Sequence, residues 1–376
     1  MPNVRRGMMG AAGVSSGGGK LYVWGIAANG QLGNNTVTPV ISSPIQVGSG
    51  KLFTAVENGP GTFWAIENNG ALWAWGLNNV GKLMNGNVAN TSSPIQVGAL
   101  TDWSSLGAGK YTFLAVKTDG TLWAGGKGTN GLPGTGDVIN KSSPVQVGSL
   151  TNWSAVSAHS YHSAAIKTDG TLWSWGLNSI GQQGNGDKIA RSSPIQIGSL
   201  TTWANASTGA HNTFAVRTDG TLWTWGSDDG GRLGQNGPQV HRSSPTQVGS
   251  LTNWSKVSSG SSHGLAIKTD GTLWGWGRNT NGEVGVATVL NISSPTQIGS
   301  LDTWVYINAG YKQSLAIKSD GTLWAWGDNS IGWQHRQLPT NTTIKYSSPV
   351  QVGSATDWLG PIAHFHRESG GATRTG

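Results

Sequence analysis

The sequence repeats itself about every 50 residues, and this periodicity constrains the fold more than any other feature. A Ser-Ser-Pro triplet, an isolated aromatic residue and a Trp-Gly pair each recur with the same spacing. The pairs begin at Trp24, Trp75, Trp175, Trp225, Trp276 and Trp326, and Gly125 takes the place of tryptophan in the third copy. The aromatic residues are Phe53, Trp103, Trp153, Trp203, Trp254, Trp304 and Trp358. Seven copies of these markers predict an architecture of seven stacked units.

One unit, read from Pro144 to Gly176, contains four short segments with the composition of β-strands. The segment 144–147 opens with proline, which edge strands tolerate, and 153–156, 163–167 and 171–175 follow. Asp169-Gly170 separates the last two segments and suits a tight hairpin, because glycine adopts a positive φ at no steric cost. No helical period is present. The sequence therefore predicts an all-β, seven-bladed propeller with four-stranded antiparallel blades.

The two ends of the chain predict how the ring closes. The last unit lacks its own Asp-Gly hairpin and Trp-Gly strand, and residues 19–25 supply the missing piece at the other end of the sequence. An N-terminal strand that completes the C-terminal blade would remove two exposed sheet edges. We expect residues 1–11 to form an arm with Arg5 and Arg6 as candidate assembly contacts, residues 12–370 to form one propeller, and residues 371–376 to form a tail.

Composition excludes several other classes of protein. Glycine contributes 59 residues and tryptophan 20, while charged residues make up only 11 % of the chain, which fits neither a helical bundle nor a disordered protein. The absence of cysteine excludes disulfides, zinc thiolate sites and cysteine nucleophiles. No apolar run is long enough to span a membrane as a helix. The net charge is +7, but the cations are scattered one or two per repeat, which disfavours nucleic-acid binding.

The repeat phrasing resembles a known family. Asp-Gly-Thr-Leu-Trp-Ala-Trp-Gly at 320–327 and Asn-Gly-Gln-Leu-Gly at 29–33, in units of about 50 residues, are similar to regulator-of-chromosome-condensation repeats, above all those of bacterial and phage proteins. The resemblance covers roughly residues 12–370 and implies a seven-bladed propeller. The family includes a nucleotide exchange factor for a nuclear GTPase, a plant UV-B photoreceptor and bacterial β-lactamase inhibitors. The photoreceptor motif Gly-Trp-Arg-His-Thr is missing here, so the tryptophans are interpreted as packing residues.

No catalytic or metal-binding constellation is recognisable. His162 and His263 share a repeat position that is otherwise Thr, Asn or Gln, which indicates a structural polar group. His364 and His366 alternate but lack a third ligand. The aspartates of the hairpins lie one per blade around a ring and therefore cannot act in pairs; they are Asp119, Asp169, Asp219, Asp270 and Asp320. We therefore expect neither enzymatic activity nor a cofactor.

The variable segment before each Ser-Ser-Pro is the candidate binding surface. These segments are 85–91, 135–141, 185–191, 235–242, 287–292 and 334–346, and all should emerge on one side of the ring, where diverse loops on a rigid scaffold commonly bind partners. The alternative is that they are merely solvent-tolerant loops. The candidate residues are Lys141, Lys188, Arg191, His241, Arg242, Trp333, His335, Arg336 and Tyr346.

These features predict a non-enzymatic binding or assembly module, first of all a phage virion protein such as a tail, fibre or capsid-surface component that contacts other virion proteins or a host receptor. The segment 1–13 resembles the start of some phage structural proteins, and the Gly/Ser-rich ends would fray unless an assembly held them. The alternatives are a soluble inhibitor that caps an enzyme and an exchange factor for a GTPase. A virion location is expected, with bacterial cytoplasm or non-classical secretion as the alternative, since residues 1–19 lack the apolar core of a secretory signal.

Overall fold

Each repeat forms four antiparallel strands joined by tight turns and one longer loop. The computed structural model describes residues 17–37, 40–330, 338–340, 342–362 and 369–375. Within them the chain forms seven four-stranded sheets, and the one helical element is a 3₁₀ turn at Thr129–Gly131. The all-β, seven-bladed propeller predicted from the sequence is confirmed.

The innermost strands contact one another in an unbroken circle around the central channel. The inner strands are Phe53–Gly59 (β3), Trp103–Ala108 (β7), Trp153–Ala158 (β11), Trp203–Thr208 (β15), Trp254–Ser259 (β19), Trp304–Ala309 (β23) and Trp358–Ile362 (β27). The second strands are Thr62–Glu67 (β4), Thr112–Lys117 (β8), His162–Lys167 (β12), Asn212–Arg217 (β16), His263–Lys268 (β20), Gln313–Lys318 (β24) and Ser369–Arg374 (β28).

The Trp-Gly pairs lie on the third strands and the Ser-Ser-Pro triplets on the outer strands. The third strands are Lys20–Ile26 (β1), Leu72–Gly76 (β5), Leu122–Gly126 (β9), Leu172–Gly176 (β13), Leu222–Gly226 (β17), Leu273–Gly277 (β21) and Leu323–Gly327 (β25). The outer strands are Val40–Val47 (β2), Thr91–Gln96 (β6), Lys141–Gln146 (β10), Arg191–Gln196 (β14), Arg242–Gln247 (β18), Ile292–Gln297 (β22) and Tyr346–Gln351 (β26). Proline suits this outer position because it has no N–H to donate to a further strand.

A composite blade closes the ring, as predicted. Its strand order is β2, β1, β28, β27, and β1 pairs with β28 from Lys20–Arg374 to Gly25–Ser369. Two details differ from the sequence expectation. Each Ser-Ser-Pro strand pairs with the third strand before it and not with the strands that follow it in the sequence. The N-terminal part of the chain therefore contributes two strands, β1 and β2, to the composite blade rather than one. The strand β28 also continues to Arg374, into the segment expected to be a tail.

Tryptophans of the third strands seal the junctions between blades. Trp175 is fully buried among residues of the preceding blade, including Leu114 and Val116, and its indole N–H donates to the carbonyl of Leu132 at 3.0 Å. Trp75, Trp276 and Trp326 make the same bond to the preceding unit. The interpretation of these tryptophans as packing residues is therefore confirmed.

The junction without a third-strand tryptophan is filled from the neighbouring blade. The indole N–H of Trp64 donates at 3.0 Å to the carbonyl of Lys82, the acceptor that a tryptophan at position 125 would use. Trp64 is fully buried and lies 5.8 Å from Phe113 between ring centroids. Met84 occupies the place of a loop glycine, so that a Cβ at Gly125 would collide with its sulfur. Trp64 and Met84 from the neighbouring blade therefore fill the site that Gly125 leaves open.

Candidate partner-binding face

The propeller has two chemically different faces. We call loop face the side with the hairpins between inner and second strands, such as 109–111, and with the loops between third and outer strands, such as 177–190. We call turn face the opposite side, with the Asp-Gly hairpins such as 168–171. The described parts of the variable segments lie together on the loop face, because each segment follows a third strand that runs in the same direction.

Buried amide side chains give the loops a common, defined shape. Asn178 donates to the carbonyl of Asp187 at 3.1 Å, and its side-chain oxygen accepts the N–H of Gln183 at 3.0 Å. The carboxylate of Asp187 then accepts the N–H of Ile189 at 2.9 Å, which forms a turn at the tip. Asn78, Asn279 and Asn329 hold their own loops with equivalent bonds. The loops are therefore preorganised rather than loosely tolerant of any sequence.

Two of the candidate cations complete these loops instead of standing free. Arg191 pairs with Asp187 at 2.6 Å, and Lys141 pairs with Asp137 at 2.7 Å, four residues apart in each case. The hydrogen bond from Lys141 is the largest cause that lowers the pKa of Asp137. The signal was visible in the sequence, because both loops contain an acidic residue four positions before the cation.

The remaining candidates are spread around the rim of the loop face. Lys188 is exposed at a loop tip. The Nδ1 atom of His241 accepts the N–H of Asp228 at 3.1 Å, and Arg242 begins β18 half-buried. The hydroxyl of Tyr346 lies 2.9 Å from that of Thr342. Lys188, the neighbours His241 and Arg242, and Tyr346 belong to three different blades, so the structure does not bring the candidates into one cluster. Trp333, His335, Arg336, Arg5 and Arg6 lie outside the described residues.

Aliphatic side chains mark the tips of the same loops. They are exposed to between 62 % and 72 % at Val37, Val88, Val138, Ile139, Ile189, Leu290 and Ile344. Exposed aliphatic residues therefore recur at neighbouring positions of the loops in several units, and we call these residues the apolar rim.

A cavity that the sequence did not predict lies at the loop-face end of the central channel. Its volume is about 230 Å³. The hairpins that join inner to second strands surround it on the propeller axis, and three residues of the longer loops complete the wall. The lining residues are Pro60, Lys110, Ser160, Tyr161, Ala210, His211, Arg232, Ser261, Ser262, Arg278, Glu283, Tyr311 and Lys312. We call this site the mouth cavity.

Aromatic rings and cations alternate around the mouth cavity. Tyr161 stacks on His211 with ring centroids 5.1 Å apart, and Tyr111 continues the arc 6.4 Å from Tyr161. The ammonium of Lys110 lies 4.7 Å from the Tyr111 ring and 5.9 Å from the Tyr161 ring. Lys127 approaches Tyr111 from 5.0 Å. Cation–π contacts therefore hold two ammonium groups at this side of the mouth.

The deeper part of the cavity is less cationic than its rim. Arg232 donates to the carbonyls of Asp229 at 2.9 Å and Ser261 at 3.3 Å, so its guanidinium is already engaged. Glu283 is 1 % exposed, and burial raises the pKa of its carboxyl group. Burial, assisted by Arg232, lowers the pKa of His211, which favours the neutral imidazole.

The net charge of the described residues is concentrated on the loop face. The strand directions assign eleven Lys and Arg residues and six Asp and Glu residues to it, against nine of each on the turn face; Glu57 lies between them in β3. The loop-face cations are Lys82, Lys110, Lys127, Lys141, Lys188, Arg191, Arg232, Arg242, Arg278, Lys312 and Lys345. The loop-face acids are Asp137, Asp187, Asp228, Asp229, Glu283 and Asp328. The scatter of cations along the sequence thus becomes one positively charged face.

The turn face consists of repeated structural contacts. Each hairpin aspartate, such as Asp169, accepts the N–H and hydroxyl of a following threonine, at 2.9 and 2.7 Å for Thr171. Lys167 lies 3.6 Å from the Trp173 ring and 4.8 Å from the Trp153 ring, and Lys117, Lys268 and Lys318 repeat this clamp. These aspartates and lysines therefore stabilise the blades.

The two histidines at one repeat position are buried between blades. His162 Nε2 lies 2.7 Å from the hydroxyl of Thr213, which itself donates to the carbonyl of Gln182, so the ring nitrogen is the donor. His263 repeats the arrangement with Ser314 and Glu283. In the part of the chain that the structure describes, no group of three His, Cys, Asp or Glu side chains could hold a metal ion. No helix among those residues is long and apolar enough to cross a membrane.

A closed ring with a preorganised, positively charged loop face defines a propeller of the binding type. The chain belongs to the regulator of chromosome condensation (RCC1) repeat family. One family model matches residues 119–166, 169–216, 219–267 and 270–317, and a second RCC1 repeat model matches 153–182, 254–283 and 304–332. The bacterial and phage branch suggested by the phrasing is not shown by these matches. A search of curated proteins by sequence returns no significant match.

Solved structures share the fold over the whole chain. Prp20p from Saccharomyces cerevisiae, described with its binding properties to Gsp1p and histones, is 17 % identical, with a TM-score of 0.82, over 96 % of this chain and 93 % of that one. Yeast RCC1 (Prp20) bound to Kap60 is 17 % identical, with a TM-score of 0.82, over 100 % of this chain and 94 % of that one. Human WBSCR16 is also 17 % identical, with a TM-score of 0.83, over 95 % and 100 %. The virion role expected from the sequence finds no support in these relatives.

Proposed function

We propose that the chain is a non-enzymatic binding propeller that holds an acidic partner protein against its loop face. The observation that carries the proposal is the polarised charge, because the described residues give the loop face a net excess of cations and the turn face none. Complementary charge accelerates encounter and orients the partner. The preorganised loops add specificity, since rigid surfaces lose little conformational entropy on binding.

The apolar rim favours a protein over a nucleic acid as the partner. Val138, Ile139 and Leu290 are more than 60 % exposed and project from fixed turns. Interfaces between proteins combine apolar contacts with cations such as arginine, whereas nucleic-acid sites rely mainly on contacts to phosphate. A surface with both a cationic centre and an aliphatic rim matches the former.

The absence of cysteine allows each face to be blocked selectively. Ala190→Cys places a single thiol on an exposed loop of the loop face, and Ser199→Cys places one on the turn face. Each thiol is coupled to a bulky polyethylene glycol maleimide. Binding to immobilised poly-L-glutamate is then measured by surface plasmon resonance at increasing salt.

We expect the unmodified protein and the Ser199 conjugate to bind alike, with affinity falling as salt rises, because the contact is between charges. The Ala190 conjugate should bind at least about tenfold more weakly, since its polymer covers the cationic face. No binding by any of the three proteins, or equal loss with both conjugates, would contradict an acidic partner on the loop face.

A second candidate function is exchange-factor-like binding of a GTPase. It is supported by the fold shared with Prp20p, whose structure was described with binding to Gsp1p. A nucleotide-release assay with purified Gsp1p and labelled GDP tests it directly. Release no faster than the intrinsic rate would remove this candidate and would leave the binding of an acidic partner untouched.

A further inference from the structure

We propose that the mouth cavity anchors the partner, and that the partner presents to it an acidic polypeptide segment that crosses the propeller axis. The inference rests on the proposed function and names the part of the face that carries the affinity. It also names the chemistry of the ligand: carboxylates spaced along an extended chain, with one side chain between them entering the cavity.

The cations of the mouth stand on opposite sides of the axis. Lys110 lines the cavity from the blade formed by β7–β10, with Lys127 beside it over the same Tyr111 ring, whereas Arg278 and Lys312 belong to the blades of β19–β22 and β23–β26. Three or four blades separate the two groups in a ring of seven, which places them across the channel from each other. A ligand that reaches both groups must therefore span the mouth, as an extended segment does.

The lysines on one side are held ready for an anion. Lys110 lies over the rings of Tyr111 and Tyr161, and Lys127 lies over Tyr111. Among the described residues, no carboxylate forms an ion pair with Lys110 or Lys127. A carboxylate that arrives there meets ammonium groups whose side-chain freedom is already reduced, so little further entropy is lost.

The floor of the cavity disfavours a compact polyanion such as an inositol phosphate. Glu283 is buried there, and Arg232 is engaged with two backbone carbonyls. A phosphate at depth would face a carboxyl group and would find no free guanidinium fork, which is the group that recognises phosphate best. The available positive charge lies at the rim, where the carboxylates of a crossing chain would be.

The size of the cavity suits a single side chain. Its volume of about 230 Å³ leaves room for one side chain of the crossing segment. The stacked rings of Tyr161 and His211 form one wall, and Tyr311 forms another. An aromatic side chain from the crossing segment would find edge or face contacts with these rings.

The test uses a fluorescein-labelled peptide of four glutamates, one tyrosine and four glutamates, with binding followed by fluorescence anisotropy. Lys110→Glu and Lys312→Glu change one cation on each side of the mouth. Lys188→Glu is the matched control, because it makes the same charge change on the same face but at a loop tip that does not line the mouth cavity. Circular dichroism and thermal melting establish that the folds of all variants are equal.

We expect Lys110→Glu and Lys312→Glu each to weaken binding about tenfold or more, and Lys188→Glu to weaken it less than about threefold, because only contacting charges lose a direct partner. An equal effect of Lys188→Glu would overturn the anchoring role and leave the proposed function standing. Retention on poly-L-glutamate without binding of the peptide would do the same. Absence of both would refute both proposals. Displacement of the peptide by inositol hexakisphosphate at lower concentrations than by unlabelled peptide would show that the cavity takes a compact phosphate instead.

Discussion

The junction built from Trp64, Met84 and Gly125 can be converted into the form that the other junctions use. Elsewhere a third-strand tryptophan faces a loop glycine: a Cβ at Gly134 would stand 2.6 Å from the indole nitrogen of Trp175. Here the tryptophan comes from the second strand of the neighbouring blade and methionine replaces the glycine. The triple change Trp64→Leu, Met84→Gly and Gly125→Trp should restore the common arrangement. Leucine is chosen for position 64 because the next blade has a leucine, Leu114, at the equivalent position.

The single changes should each be costly, for different reasons. Trp64→Leu removes a fully buried indole and its bond to the carbonyl of Lys82, which typically costs about 3 kcal/mol or more. Gly125→Trp alone forces a side chain into Met84 and Trp64, and such overpacking costs roughly 1–3 kcal/mol. Met84→Gly leaves a cavity, and it recovers only the ~1–2 kcal/mol that a side chain pays at the positive φ of 61°.

The triple variant should therefore be far more stable than its parts suggest. If the three sites form one packing unit, it should unfold within about 1.5 kcal/mol of the wild type, whereas the single costs add up to several kcal/mol. Urea unfolding of the wild type, the three single variants and the triple variant, followed by tryptophan fluorescence, measures the coupling. A triple variant that is as unstable as the summed singles would refute the view that Trp64 substitutes for the missing tryptophan.

Three further perturbations test the remaining structural contacts. Burial lowers the pKa of His162 and His263 from 6.5 to about 3, so the unfolded chain takes up protons that the folded chain does not. The free energy of unfolding should therefore fall as pH drops from 6.5 towards 3, by about 2 kcal/mol per histidine at pH 5. The double variant His162→Asn and His263→Gln takes the residues found at the same repeat position in Asn212 and Gln313, and it should flatten this pH dependence when urea unfolding is measured at pH 7.5 and 5. An unchanged pH dependence would contradict the assignment to these two histidines. Lys167→Met should lose about 1 kcal/mol of cation–π stabilisation in the same assay, and Lys188→Met, at an exposed position, is the near-neutral control. Equal effects of the two changes would show that the contact of Lys167 with Trp153 and Trp173 does not stabilise the blade. Deletion of residues 1–25 removes most of β1 and exposes β28 and β2 as edges, so it should lower the melting temperature and promote aggregation, whereas deletion of residues 1–11 should not; an unchanged melting temperature for the longer deletion would mean that the ring does not need closure.

The repeat made the blades predictable but left their phase open. The segments 153–156, 163–167 and 171–175 read directly as strands, since alternation and the Asp-Gly turn are local signals. A periodic sequence, however, has no marked beginning, and nothing local shows whether Pro194 belongs with the strand before it or after it. The structure shows that β14 pairs with β13, and the loop 177–190 returns the chain to that same sheet.

Substitutions that compensate across a junction cannot be found by comparing one repeat position at a time. At its own position Trp64 looks irregular beside Leu114 and Phe214, and Gly125 looks like a loss. Trp64 and Gly125 can be understood together only when the third residue of a second strand is seen to pack against the next blade, as Leu114 packs against Trp175. Pairs of exceptions in adjacent units are therefore the signal to look for in a propeller sequence.

The mouth cavity was missed for a related reason. Lys110 and Lys312 lie in hairpins, Arg278 follows a third strand and Arg232 precedes a loop leucine, so a scan along the chain meets single cations at unrelated repeat positions. Ring closure changes their relation, because every strand end of one parity points to the same face and every inner hairpin meets the same axis. Four cations from four different units are too far apart in the sequence to be recognised as a binding site, but they become a cluster once the units share a centre. For a closed propeller, charge should therefore be summed by strand parity and distance from the axis, and by that measure the loop face is the one on which the described residues leave a net positive charge.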